Sequence, residues 1–181
     1  SDWCGKTEVS YDIIDPALAE RLRTTLLRTE QTPATGVLPT LGHWCYFQAP
    51  APADLLGEDG HPQRGGFLPP IALPRRMWAG GSLEFLAPIP IGATLSRHST
   101  IGSIQAKEGR GGKLVFVSIT HDYWQEETKL VTERQDLVFR EAAIKGNTAS
   151  ANNKTATLPL LEETHTPLHS QTSRGDAVTL F

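Results

Sequence analysis

Residues 75–95 read Arg75-Arg76-Met77-Trp78-Ala79-Gly80-Gly81-Ser82-Leu83-Glu84-Phe85-Leu86-Ala87-Pro88-Ile89-Pro90-Ile91-Gly92-Ala93-Thr94-Leu95, and the fold turns on this stretch. From Met77 onward the chain takes the period of two that marks strands, with Leu83 and Phe85 alternating across Glu84. Pro88-Ile89-Pro90-Ile91-Gly92 breaks it, since two prolines lack the N–H a ladder needs. The same period returns downstream. Val115, Val117 and Ile119 share one face of 113–125, and Val131, Leu137 and Phe139 share one face of 129–141. Glu108-Gly109-Arg110-Gly111-Gly112 and Gln125-Glu126-Glu127-Thr128 separate them as turns between antiparallel strands. About four strands are expected between 77 and 141.

Upstream the period is helical. Asp15 can cap free amides while Pro16 occupies the first helical position, where a missing N–H costs nothing. Leu18, Leu22 and Leu26 then repeat every four residues, predicting about three turns with one buried stripe that ends before Pro33. The apolar segment 41–47, Leu41-Gly42-His43-Trp44-Cys45-Tyr46-Phe47, reads as a short buried helix. Residues 49–76 are rich in proline and glycine, which excludes regular structure and leaves a long loop of the kind that is usually functional. Helix, short helix, loop and strands make an α+β pattern, in which a curved sheet buries one face on helix. From Ala142 the sequence turns small and polar, so the domain is expected to span 1–141 and a flexible linker 142–175. The apolar run Val178-Thr179-Leu180-Phe181 then reads, with 176–181, as the start of another domain.

The 181 residues carry 17 Lys plus Arg against 20 Asp plus Glu, a formal charge of −3, which removes the positive field that nucleic-acid binding needs. The longest apolar runs fall far short of the ~20 residues that cross a bilayer. Cys4 and Cys45 form no C-x-x-C pair and the first residues lack a secretory pattern, so a cytoplasmic setting is expected. G-x-S-x-G, Walker A, G-x-G-x-x-G and H-E-x-x-H motifs are all missing. His43 and Cys45 lack a second pair for zinc, and read as a core cysteine beside a hydrogen-bonded histidine; no metal site is assigned. His121 and Asp122 fall on opposite faces of a strand, cannot act as a local acid/base pair, and read as ordinary strand residues. Arg75 and Arg76 place two guanidiniums, suited to carboxylate or phosphate, beside Trp78 and the pair Gly80-Gly81. The alternative is exposed arginines before an edge strand, with the glycines forming a bulge.

The segment 81–95, with an apolar-x-Phe pair leading into Pro, Gly and the next strand, resembles the MaoC-like hotdog family of acyl-CoA hydratases. With Gly65-Gly66-Phe67-Leu68-Pro69-Pro70 and Leu73-Pro74-Arg75-Arg76-Met77-Trp78-Ala79-Gly80-Gly81, it is similar to a narrower group, the N-terminal halves of two-hotdog mesaconyl-C4-CoA (3-methylfumaryl-CoA) hydratases. The likeness covers about residues 10–141. It implies a hotdog fold, a curved antiparallel sheet wrapped around a helix at 41–47, with a second hotdog domain or subunit alongside and a homo-oligomer, such as a dimer, as the assembly. It also implies addition of water to an enoyl thioester, with CoA entering only as part of the substrate and no other cofactor. The family's catalytic Asp and His, in a G-D-x-N-P-x-H type motif, lie in the second hotdog; here Gly175-Asp176-Ala177-Val178 starts alike and departs. No catalytic residue is therefore assigned to this chain.

The candidate substrate-binding residues are Arg75, Arg76, Trp78, Gly80, Gly81 and Trp44, and strand alternation lets one of the two arginines face the cleft. The expected partner is an acyl-CoA carrying a dicarboxylic acyl group. Two rivals remain: a hotdog acyl-CoA thioesterase using Glu58, Asp59 or Glu84 as its carboxylate, and a non-catalytic acyl-CoA-binding module.

Overall fold

The computed structural model describes residues 2–26, 36–48, 50–57, 60–109, 112–142 and 177–180. The chain forms β1 (Thr7–Ile13), α1 (Pro16–Leu26), single 3₁₀ turns at Gly42–Cys45 and Ala53–Leu55, then β2 (Arg75–Phe85), β3 (Thr94–Gly109), β4 (Gly112–Gln125), β5 (Thr128–Arg140) and β6 (Ala177–Leu180). All strands lie in one antiparallel sheet of order β1-β3-β4-β5-β2-β6. The turns fall at the breaks read from the sequence. Gly92, with φ of 86°, takes a conformation that side chains rarely adopt, and its N–H donates to the Ile14 carbonyl. Register shifts between Trp78 and Gly80 and between Ile101 and Ser103 supply the bulges that curve the sheet. This is the hotdog arrangement.

Several readings change in the structure. β1 goes unpredicted, and its alternating Val9, Tyr11 and Ile13 are exposed. The Asp15 cap forms, Oδ1 accepting the Leu18 N–H at 2.7 Å, but the leucine stripe reaches the protein only over its first two turns. Ala19 is buried, Leu18 and Leu22 are half-buried, and Leu26 is 64% exposed. Segment 41–47 makes one tight 3₁₀ turn in place of a helix. With about three residues per turn, His43 and Cys45 cannot share a side. His43 is therefore buried while Cys45 is exposed, which overturns the core-cysteine reading. Residues 177–180 pair with Gly81, Ser82, Leu83 and Glu84 of β2 and extend the sheet by one strand. The expected linker 142–175, apart from Ala142, lies outside the described residues, as do 176 and 181.

Two apolar clusters occupy one face of the sheet. One joins Ile14 and Ala19 to Tyr46, Phe47, Leu95, Tyr123 and Val131; the other joins Ile101, Val117, Ile119, Leu137 and Phe139 to Phe67, Leu68 and Leu73 from the long loop. A polar band runs between them. Cross-strand register sets Ser99, His121 and Glu133 side by side, with Gln135 next along β5.

The long loop is tied down by charge-assisted hydrogen bonds. Arg64 donates from Nη1 to the carbonyls of Ile71 and Leu73 and from Nη2 to that of Pro74, with its guanidinium 5.2 Å from the Phe139 ring centroid. Lys6 Nζ donates to the Gly66 carbonyl at 2.6 Å. The Arg64 contacts replace a strand ladder across a segment whose prolines cannot donate. Arg64→Met is expected to lower stability by about 1.5–3 kcal/mol, the usual value of charged hydrogen bonds, and to open 60–74 to proteolysis first. Urea unfolding and limited proteolysis check both.

Candidate functional site

Strand parity puts the functional side chains on the face that carries the buried clusters. Val131, Leu137 and Phe139 are buried there, so Glu133 and Gln135, at the same parity on β5, point inward with them. His121 shares the parity of Val117 and Ile119 on β4, and Arg76 and Trp78 pair with Phe139 and Leu137 from β2. Where the polar band meets the long loop, a cleft of about 440 Å³ opens. Arg76, His121, Gln135 and His61 supply its polar lining, and Phe67, Leu68, Trp78, Ile119 and Leu137 its apolar walls. An apolar cleft with a few convergent polar groups is the usual form of a small-molecule site.

His121 is held by its neighbour on β3. Its Nδ1 lies 2.8 Å from Ser99 Oγ, which is buried, and Gln135 lies beside it in the cleft lining. Burial pushes the imidazole pKa below its ordinary value, Arg97 adds to that, and Glu133, Gln135 and Asp122 oppose it. The ring is therefore neutral near pH 7.

Behind His121 the Glu133 carboxylate gathers donors. Trp44 Nε1 donates to Oε1 and the Tyr123 hydroxyl to Oε2, each at 3.1 Å, and His43 Nε2 lies 3.4 Å from Oε2. Burial raises the carboxyl pKa, but His43, His121 and Trp44 together hold it below the usual carboxylate range. Tyr123 is pushed well above the ordinary phenol value by burial and by this negative neighbour. The 3₁₀ turn that delivers His43 and Trp44 is bracketed by Leu41 and Phe47 at φ of 66° and 58°. Left-handed backbone costs a side chain about 1–2 kcal/mol, and here the Phe47 N–H is held by Asp12 Oδ2 at 2.6 Å.

Of the residues expected to bind substrate, Arg76 and Trp78 line the cleft together. Arg75 is exposed at the opposite parity, in register with Arg140 and Leu114. Gly80 is buried beside the bulge. A Cβ on Gly81 would collide with the Arg134 carbonyl and sit 3.7 Å from the Trp78 ring, so this glycine lets β2 close on β5. Trp44 is 42% exposed and serves Glu133 rather than the cleft wall. His121, read as an ordinary strand residue, is a lining group instead. Its parity with Val117 and Ile119 was the available signal, as the parity of Val131 and Leu137 was for Glu133 and Gln135.

Residues 41–179 match the description of a family, hydroxyacyl-thioester dehydratase type 2. The chain is 44% identical over 140 residues to a mesaconyl-C(4)-CoA hydratase of Chloroflexus aurantiacus, covering 77% of this chain and 50% of that protein. It thus spans about half the length of that relative. Among solved structures, the fold is similar to the ChsH1–ChsH2 complex of Mycobacterium tuberculosis (TM-score 0.55, 11% identity, 76% of this chain and 84% of that one). It is also similar to a MaoC-like dehydratase of Rhodospirillum rubrum (TM-score 0.51, 16% identity, 77% and 94%).

Proposed function

Because this chain belongs to the hydroxyacyl-thioester dehydratase type 2 family, we propose that it is the N-terminal, substrate-binding hotdog half of an enoyl-CoA hydratase acting on a dicarboxylic acyl thioester of the mesaconyl-C4-CoA kind. The observation that carries this reading is the cleft: one guanidinium and one indole, Arg76 and Trp78, stand among apolar walls with a neutral imidazole, His121, on the same lining. Hydration needs a base for water, an acid for the α-carbon and donors to the thioester oxygen. In this reading a second hotdog, begun by residues 176–181, supplies the proton transfers while this half binds the acyl group. Among the described residues β6 pairs with Gly81, Ser82, Leu83 and Glu84, and the remainder of the β2 edge would accommodate it. The setting is the cytoplasm, where the exposed thiols of Cys4 and Cys45 fit a reducing medium.

The thioesterase alternative is less supported. Glu84 is exposed at the parity opposite the cleft, Glu58 and Asp59 lie outside the described residues, and Glu133 is buried among its donors. Release of free CoA during turnover would nevertheless establish it.

Arg76→Met is expected to weaken binding of a dicarboxylic thioester by about 1.5–3 kcal/mol, as for a charged hydrogen bond, while Arg75→Met changes little. A much smaller effect on a crotonyl-type thioester places the contact at the free carboxylate, and an equal effect places it at CoA. Titration calorimetry measures both. If neither substitution alters affinity for either thioester, the cleft does not bind the substrate and the reading fails.

A further inference from the structure

The cleft contains more polar chemistry than one arginine requires. His121 sits on its sheet wall with Nδ1 2.8 Å from Ser99 Oγ and with Gln135 beside it in the cleft lining. Among the described residues, Ser99 and His121 take part in no cap, turn or salt bridge. Two apolar clusters flank this polar band, and the next cross-strand row along is an apolar pair, Ile101 and Ile119. A fixed, neutral imidazole in that position can donate to an anion and can also gain a proton from solvent when the anion arrives.

We propose that His121 is a specificity-determining residue that meets the free carboxylate of a dicarboxylic acyl group, alongside Arg76, and takes up one solvent proton as that carboxylate binds. The inference rests on the acyl-thioester reading above and adds to it the residue and the proton that tell a dicarboxylic from a monocarboxylic acyl chain.

The charged groups around the ring favour such a coupling. Glu133 on β5 lies in register with His121, is buried, and draws its own hydrogen bonds from Trp44 and Tyr123. Arg97 on β3 opposes protonation, Asp122 at the opposite parity on β4 favours it weakly, and His43 on the 3₁₀ turn faces Glu133 rather than the cleft. Arg76 on β2 and His61 on the loop share the cleft itself. Burial keeps the empty site's imidazole neutral. A carboxylate brought within hydrogen-bond reach adds a negative charge that reverses the preference, so protonation and binding favour one another. A monocarboxylic acyl chain brings no such charge and leaves the ring neutral.

The test uses the 181-residue chain and two hydrolysis-resistant dethia analogues, of succinyl-CoA and of butyryl-CoA, so that no turnover enters the readout. Calorimetry at about pH 6 and about pH 8, in buffers of different ionisation enthalpy, gives affinity and proton uptake together. The succinyl analogue is expected to bind about three- to sixfold more tightly at the lower pH, with net proton uptake, the change produced between these two pH values when the ligand raises the ring's pKa by about one. The butyryl analogue controls for titration of the CoA phosphates and should show no such excess. His121→Asn keeps a partner for Ser99 but cannot titrate; it should bind the succinyl analogue with the pH profile of the butyryl one. An unchanged succinyl profile in H121N overturns this inference and leaves the acyl-thioester reading standing. Binding of neither analogue by the wild-type chain overturns both.

Discussion

Assayed by itself, the 181-residue chain is expected to hydrate an enoyl-CoA at least about 10⁴-fold more slowly than the same chain supplied with a second hotdog that carries an acid/base pair. The figure follows from the chemistry, since a general acid and a general base each contribute about 10²–10⁴-fold. The cleft of this half offers one positive group, one amide and imidazoles. Its inward carboxylate, Glu133, is ionised and engaged by an indole, a phenol and an imidazole, so it is poorly placed to activate water. Loss of the enoyl absorbance, followed with and without the second half, measures the ratio. Full turnover by the chain alone, abolished in H121N, would move the proton transfers into this cleft and overturn the division of labour.

The strands between 77 and 141 were legible because burial on one side of a sheet writes itself as a period of two, and proline and glycine mark its ends; that β2 begins earlier, at Arg75 in the stretch read as loop, was not. β1 was not, because its apolar residues Val9, Tyr11 and Ile13 face out and the neighbouring cap at Asp15 dominates the local pattern. The 3₁₀ turn was visible as apolar and short, but its tightness depends on Asp12 holding the Phe47 N–H, a contact from 35 residues away. The site was half legible. Arg76 and Trp78 stand out by type, whereas His121 gains meaning only from Ser99, Glu133 and Gln135, which two other strands bring beside it. Sequence parity shows that Glu133 shares a face with buried valine and leucine. It does not show that Trp44, 89 residues earlier in the chain, arrives to satisfy it.

Glu133→Ala is expected to cost about 3–5 kcal/mol of folding stability, the penalty for breaking a buried charged network by removing one partner. Against the ~5–15 kcal/mol that holds an ordinary domain together, this is a large fraction. The substitution strands the Trp44 indole N–H and the Tyr123 hydroxyl, leaves His43 facing a cavity, and removes the contact that seats the strained 3₁₀ turn. Glu133→Gln is milder, about 1–3 kcal/mol, because one oxygen remains to accept while its amide meets other donors. The acid limb of the stability curve separates charge from packing. Glu133 and His121 both have folded pKa values below their ordinary ones, 4.5 and 6.5, so each binds more protons unfolded than folded below that value. Stability should therefore fall on acidification in two stages, first below about pH 6.5 through His121 and then below about pH 4.5 through Glu133. In E133Q the second stage should shrink, whereas in H121N the first should. Urea unfolding across that range reads both, and an E133A variant as stable as the wild type, with an unchanged acid limb, would mean that the carboxylate at the centre of the fold is a passive passenger.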